Sequence, residues 1–475
     1  MRPVAHPPTP GWRTEAAETF RLSWPLALAN LLQMLTYAID VMFIARLGAD
    51  ELAASSLAVA LFGLLTWSLQ GLTGAVSPIM AAELGARAPA LRPVRRSVRM
   101  AMWLALATGA VAMIVCAFAE SLMLLTGQPP RIAALAGDYM DVLLLALGPM
   151  VMAGVFRNFV STLGRPILAT LITASGIGVN AAANWAFIFG NWGAPALGLP
   201  GAAVATVLTS LTILAFYALA IRLDPRLHRY RIFGFAWRPD WPRFAELIRI
   251  GTPIALTITA EAGIFGAAAF LMGRIGATPL AAHAIALQIV ALAFQVPFGV
   301  SQAATIRVGY YFGARDAEGV RRAGTVALVM GTGFMVLTAL ALLLAPEYLL
   351  ALYIDPWNPD EPAVAEFALA FLAIGAAFQL VDGLQVVAAG ALRGLQDTRV
   401  PMAIAIFAYW IPGFGVATWL AFGTDTGARG VWFGLATGLA VAAALLLARW
   451  LSRERLGLIA APAPNDHPHH SPGRG

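Results

Sequence analysis

Twelve runs of apolar residues, each roughly 20 residues or longer, follow one another with short polar gaps between them. They lie at about 23–45, 53–82, 97–119, 136–156, 167–189, 200–221, 250–273, 280–306, 323–345, 364–391, 400–422 and 428–450. Backbone that crosses hydrocarbon must satisfy its own N–H and C=O groups, so runs of this length are read as helices. The expected fold class is an all-α polytopic membrane protein with twelve transmembrane helices. Charged residues make up only 12% of the 475 residues and hydrophobic ones 59%. A soluble domain carries about twice that charge.

The basic residues orient the runs. All 31 are Arg. Loops after odd-numbered runs hold only Arg46, Arg131, Arg274 and Arg429. Clusters such as Arg92, Arg95, Arg96 and Arg99 follow even-numbered runs. By the positive-inside rule both termini face the cytoplasm, and the net charge of +6 is a topology signal with no call for nucleic acid. A cytoplasmic tail is expected over 1–22, an N-lobe over 23–221, a linker over 222–249, a C-lobe over 250–450 and a second tail over 451–475. No cleavable leader precedes the first run, so the chain is expected to stay in the bacterial cytoplasmic (inner) membrane.

The two lobes repeat each other. Pro25, Arg46-Leu47-Gly48-Ala49, Leu52-Ala53-Ala54 and Gly85-Ala86-Arg87 match Pro253, Arg274-Ile275-Gly276-Ala277, Leu280-Ala281-Ala282 and Gly313-Ala314-Arg315 at a constant offset of 228 residues. A weaker echo pairs Arg157 through Pro166 with Arg393 through Pro401. Six runs per repeat is an even number, so the lobes are parallel and related by a pseudo-two-fold axis along the membrane normal.

Asp40, Glu261 and Asp382 lie inside the apolar runs. A carboxylate at the centre of a span costs about 2.5–3.5 kcal/mol on insertion scales and marks a functional site by default. The repeat aligns Glu261 with Gln33, and Asp40 with Ala268, so the lobes differ in polar equipment. Asn30, Gln33, Tyr37 and Asp40 share one helical face, as do Thr66, Gln70, Thr73 and Ser77. Asn180 and Asn184 are one turn apart. With Asp40 these suggest a wet cavity, whereas Thr and Ser alone read as interhelical hydrogen-bond glue. In the C-lobe, Gln288 and Gln295 are seven residues apart, and Gln379 precedes Asp382 by three. Two carboxylates brought together repel, and a proton or Na⁺ would relieve this. The alternative, pairing with a buried Arg, is disfavoured because no Arg falls in the middle of a run.

Other features narrow the classes. The single Cys116 excludes an internal disulfide and a Cys-based metal site. His283 reads as structural or hydrogen-bonded, and His467, His469 and His470 sit in a Pro-rich tail. There is no His-Glu-x-x-His, Gly-x-Ser-x-Gly or Asp-rich prenyl-diphosphate motif, so an intramembrane enzyme is not expected. A flippase for lipid-linked saccharides is the related alternative, but it calls for a basic cavity.

Taken together the motifs resemble the multidrug and toxic compound extrusion (MATE) family, in its NorM-like branch. The resemblance rests on Pro25 through Arg46-Leu47-Gly48, on Gly251-Thr252-Pro253-Ile254 followed by Glu261, and on Ala282-His283-Ala284-Ile285-Ala286-Leu287. It continues through Ile306-Arg307-Val308-Gly309 and through Asp382 to Gln385 with Gly390-Ala391-Leu392-Arg393-Gly394. It covers nearly all of the chain outside the tails. The resemblance implies two six-helix lobes and export of organic cations or amphipathic drugs in exchange for Na⁺ or H⁺. It implies Glu261 and Asp382 as coupling-ion residues that could hold Na⁺, and Asp40, Asn180 and Asn184 as polar positions of the first lobe. Relatives can carry Tyr where this chain has Phe378, a departure that favours H⁺. The expected partners are small-molecule drugs and lipid, with no prosthetic cofactor and a monomeric state.

Overall fold

The protein, seen here in a computed structural model, is described over residues 11–87, 89–234, 237–354 and 362–459. Twelve helices are long and apolar enough to cross a membrane. In the N-lobe they are α1 (Trp12–Ile44), α2 (Ala49–Ala86), α3 (Leu91–Cys116), α4 (Pro130–Thr162), α5 (Pro166–Phe189) and α6 (Leu199–Leu223). In the C-lobe they are α7 (Trp241–Ile275), α8 (Ala277–Gly313), α9 (Ala317–Leu344), α10 (Ala363–Gly394), α11 (Arg399–Gly423) and α12 (Ala428–Leu451). Among the described residues there is no strand. The fold class expected from the sequence is the one observed.

Boundaries moved where polar residues are helical. α1 starts at Trp12, so about three turns of the expected first tail are helix. The linker shortens because α7 starts at Trp241. His467, His469 and His470 lie outside the described residues.

Prolines set the irregular turns. Pro149 cannot donate to the Leu145 carbonyl, and α4 tightens into a 3₁₀ turn over Leu144–Ala146 just before it. Pro412 cannot donate to the Ala408 carbonyl, and α11 widens into a π turn over Tyr409–Gly413. That π turn holds Tyr409 on the inner side of the C-lobe, where it is buried.

Each lobe has its own core. The N-lobe packs around Phe156, Phe159 and Tyr230, and around Phe62 and Tyr139. The C-lobe packs around Phe371, Phe378 and Trp432, with Phe371 stacked on Trp432 at 5.4 Å. Cys116 is buried in the N-lobe core, as expected of a lone apolar-run Cys.

The lobes meet where glycines let backbones touch, and the meetings obey the repeat. A Cβ on Gly71 of α2 would lie 3.4 Å from the Ala255 Cα in α7. The repeat-related Gly299 of α8 is tighter, its Cβ falling 2.6 Å from the Ala27 nitrogen in α1. Nearer the arginine-rich end, α2 and α8 cross each other. A Cβ on Gly85 would collide with the Tyr310 carbonyl, and one on Gly313 with the Ala82 carbonyl. Residues 71 and 299, 27 and 255, 85 and 313, and 82 and 310 are all separated by the same 228 positions. The pseudo-two-fold axis therefore runs between repeat-related glycine contacts, of which those at Gly85, Gly299 and Gly313 leave no room for a side chain.

Ion pairs reinforce the same end. Glu15, 1% exposed, accepts from Arg307 Nε at 2.8 Å and from the Tyr311 hydroxyl at 2.8 Å, tying the start of α1 to α8. Glu83 of α2 pairs with Arg243 of α7 at 2.7 Å. Arg96 of α3 pairs with Asp240, which lies just before α7 and whose carboxyl it holds below the usual carboxylate range.

A side chain at the crossing has no soft neighbour to displace. Gly313→Val is expected to cost about 1–3 kcal/mol through overpacking. Gly266→Val, which meets open space, is the control. Thermal unfolding of the purified protein should show a clear fall in midpoint for the first and little for the second; equal midpoints would mean that the lobes do not cross there in solution.

Candidate functional sites in the two lobes

In the N-lobe the helical face foreseen on α1 points at α5. Asp40 Oδ1 accepts from Asn180 Nδ2 at 2.9 Å and from Asn184 Nδ2 at 2.7 Å. Asn184 Nδ2 also reaches Asn180 Oδ1 at 3.2 Å. The one-turn spacing of the two Asn on α5 brings both amides to one carboxylate oxygen. Asn184 Oδ1 is buried with no partner. A cavity of about 110 Å³ opens beside this array, lined by Gln33, Tyr37, Asp40, Gln70, Arg157 and Asn180 among others.

Arg157 adds to the sequence reading. It lies on α4, five residues before the helix ends, and its guanidinium turns into the lobe. It donates to Asn30 Oδ1, and to Gln33 Oε1 at 3.5 Å. A half-buried Arg therefore lines the same cavity as Asp40, bonded to two amide oxygens rather than to a carboxylate. The apolar run on α4 appeared to stop at residue 156 because Arg157 itself interrupts it. A long side chain carries the charge inward from that point.

In the C-lobe Asp382 is 3% exposed and Glu261 is half-buried. The two carboxylates act on each other electrostatically, and both act on Tyr409. Arg393, near the end of α10, lies within electrostatic reach of Glu261. Several buried polar atoms here have no partner: Asp382 Oδ1, Gln385 Oε1, Gln379 Nε2 and the Tyr409 hydroxyl. Unsatisfied groups of this kind mark a place where water or an ion belongs. Gln379 Oε1 accepts from the Thr338 hydroxyl at 2.5 Å, which fixes its amide.

The remaining expected site residues are dispersed. Phe378 packs edge-on to Phe265 at 6.2 Å and against Trp432 at 6.0 Å, inside the apolar core. Gln295 is buried and donates to the Ala291 carbonyl at 3.2 Å, within its own helix. Gln288 is exposed on the surface of α8. His283 is buried edge-on to Trp432 at 5.7 Å, with both ring nitrogens lacking a partner. Among the described residues no three His, Cys, Asp or Glu side chains cluster as a metal cage would require. Tyr409, Gln385, Arg157 and Arg393 are the site residues that sequence reasoning missed. For the two Arg a signal existed, because both stand at the head of the weaker repeat echo.

Similarity to known proteins fits this geometry. The MatE family model matches residues 25–186 and 253–419, and the two matches begin one repeat offset apart. The chain belongs to the MATE family. It is 45% identical to the Probable multidrug resistance protein NorM of Mesorhizobium japonicum, over 94% of this chain and 95% of that protein. It is 41% identical to the Multidrug resistance protein NorM of Burkholderia vietnamiensis, over 97% of this chain and 98% of that protein. Its fold matches the crystal structure of a mutant of the Vibrio cholerae MATE transporter VcmN with a TM-score of 0.85 at 19% identity, over 94% of this chain and 99% of that chain.

The paired Asn donors should be measurable in stability. A hydrogen bond to a charged group contributes about 1.5–3 kcal/mol. Asn184→Ala is expected to lower the thermal midpoint accordingly. Repeating it in an Asp40→Asn background should shrink the loss, because the acceptor is then neutral. An undiminished loss would assign the effect to packing around Asn184.

Proposed function

We propose that this MATE-family protein is a secondary active multidrug efflux transporter. It exports organic cations or amphipathic drugs in antiport with Na⁺ or H⁺, by alternating access between the lobes. Both curated relatives carry the multidrug resistance name along nearly their whole length. The observation that carries the coupling is the buried Asp382, whose Oδ1 has no partner and which lies within electrostatic reach of the second C-lobe carboxylate, Glu261.

The chemistry follows from charge. Carboxylates held in a low-dielectric site attract a cationic drug and repel each other. A proton or Na⁺ taken from outside cancels that charge and weakens the hold on the drug. The drug then leaves outward, the lobes rock, and the ion is released on the other side. Such exchange needs drug and ion to bind the two lobe arrangements with different affinity, since equal affinity shifts nothing. Hard cations such as Na⁺ take oxygen ligands. The carboxylates, the Gln385 amide oxygen and the Tyr409 hydroxyl are of that type. Phe378 lacks a hydroxyl, but Tyr409 brings one from α11, so the donor set suits Na⁺ as well as H⁺. Asp40 with its two Asn forms a second acidic point in the N-lobe. Tyr37 and Gln33 line the adjoining cavity for substrate.

Reconstitution in liposomes tests the reading. Efflux of a fluorescent organic cation should follow an imposed Na⁺ gradient or an imposed pH gradient. Glu261→Gln and Asp382→Asn should each reduce gradient-driven efflux at least about tenfold, a loss of roughly 1.4 kcal/mol of coupling. Efflux that ignores both gradients, or that both variants leave unchanged, would remove the antiport reading.

A further inference from the structure

The first helix of each lobe is held at its start by the other lobe, and the repeat relates the two places. The match at 228 residues extends back to the helix starts, where Ala17, Glu18 and Arg21 correspond to Ala245, Glu246 and Arg249. Position 15 on α1 therefore corresponds to position 243 on α7, and position 83 near the end of α2 to position 311 near the end of α8. Glu15 accepts from the Tyr311 hydroxyl at 2.8 Å, and Arg243 pairs with Glu83 at 2.7 Å. One contact is thus repeated about the pseudo-two-fold axis, with its polarity reversed. The acid stands on the entering helix in the first and on the receiving helix in the second. Positions 12 and 240 correspond as well, and each meets an Arg from the third helix of the opposite lobe. Arg96 of α3 pairs with Asp240, and the Arg321 guanidinium of α9 lies over the Trp12 ring, 5.6 Å from its centroid.

The two contacts are built unequally. Both oxygens of Glu15 are met: Oε1 accepts from Arg307 Nε at 2.8 Å, and Oε2 from the Tyr311 hydroxyl and from Arg307 Nη2. Arg307 Nη2 also donates to the Tyr311 oxygen at 2.9 Å, which closes the triangle around a carboxylate that is 1% exposed. Glu83 is less well served. Its Oε1 takes both Arg243 and the Ser97 hydroxyl, the latter at 3.1 Å, while Oε2 is buried with no partner. Arg243 is shared with Glu246 on its own helix at 2.8 Å. A carboxylate whose partners are all in place loses most when they are taken away, and one already short of a partner loses less. Bonds of this length fail once the ends part by about 1 Å, so neither contact survives separation of the lobes at this end.

Resting on the alternating-access reading above, we propose that these contacts are two exchanged latches that keep the arginine-rich end shut, and that the latch of Glu15 with Arg307 and Tyr311 carries most of the closure. Each lobe clasps the first helix of the other, so the end opens only when both let go. The Glu83–Arg243 latch adds a weaker hold at the place related by the axis.

The test uses the full chain with spin labels on Arg92→Cys and Arg399→Cys, exposed positions at the starts of α3 and α11. The one native thiol, Cys116, is buried and does not compete for the label. Pulsed electron resonance in lipid nanodiscs reads the distance between the labels, and efflux of the fluorescent cation from liposomes is measured beside it. A short distance should dominate in the native chain. Glu15→Gln is expected to raise the population at a longer distance at least about tenfold, and Glu83→Gln only about threefold, as the loss of charge-assisted bonds of unequal number implies. Tyr311→Phe, which removes one hydroxyl, should fall between native and Glu15→Gln. Reversing the pair, Glu15→Arg with Arg307→Glu, should return the population to within about threefold of native, which a merely structural role for either residue does not predict. Distances unchanged in both Glu15→Gln and Tyr311→Phe, or no return on reversal, overturn the latch, and ion-driven native efflux then leaves the antiport reading standing. A larger opening in Glu83→Gln than in Glu15→Gln overturns the ranking of the two. Native efflux that ignores both gradients removes the antiport reading, and the distances still decide whether these contacts hold the lobes together. Should Glu15→Gln fail to fold, Tyr311→Phe takes its place, since it keeps every charge.

Discussion

A charge inside hydrocarbon has to be offset, and the polar architecture of this protein is organised by that requirement. Its isolated transfer from water is far too costly to persist, so each buried charge must find a partner, a donor array or a proton. Asp40 finds two amide donors from one turn of α5. Glu15 finds a guanidinium and a phenol on α8. Asp382 retains an oxygen with no partner, close to a second carboxylate. The first two arrangements are closed within the protein. The third is left open, and an open arrangement is what exchange with an external ion requires.

The duplicated architecture explains how the open site can be confined to one lobe. Contacts between the lobes keep the symmetry of the repeat, because the glycine crossings depend on backbone shape and those at Gly85, Gly299 and Gly313 leave no room for a side chain. The lobe interiors hold close glycine contacts too, such as Gly434 of α12 against Ala417 of α11, but their polar faces meet through side chains that can be exchanged. Gln33 and Glu261 stand at equivalent points, yet one offers a neutral amide to the Arg157 guanidinium and the other is a carboxyl group. Symmetry is thus kept where the lobes touch and lost where the chemistry occurs.

The fold was legible in the sequence because hydrocarbon leaves so little choice. Run length fixed the helix count, Arg placement suggested the orientation, and Gly85 with Gly313 marked the repeat before their contacts were known. The N-lobe array was legible for a related reason, as Asp40, Asn180 and Asn184 sit at helical spacings that survive into three dimensions. The rest was hidden by the same hydropathy signal. A run is judged to stop at its first charge, so Arg157 marked a boundary and its inward reach could not be seen. The place of Tyr409 depends on the π turn beside Pro412, which run length alone does not reveal. Phe378 was singled out for a missing hydroxyl, but it belongs to the packing around Trp432. The hydroxyl comes from a different helix, and one-dimensional spacing carries no information about that.

The closed end of the bundle bears on how such a protein could alternate. Glycine crossings give van der Waals attraction with little directional bonding, and such contacts can part without leaving orphaned polar atoms. The ion pairs near them are different. Separating Glu15 from Arg307 and Tyr311, or Glu83 from Arg243, exposes charges that must be rehydrated. Those pairs sit at the arginine-rich end, outside the apolar runs, where water can reach them as they open. Parting therefore costs least where the lobes touch inside the membrane and is compensated by solvent where they are charged. Both contributions leave the arrangement of the lobes sensitive to small differences in binding. In the exchange proposed above, a monovalent cation taken up at Glu261 and Asp382 would change the charge of the C-lobe interior by one unit, and a difference in its affinity for the two arrangements of the lobes is what would shift the balance between them.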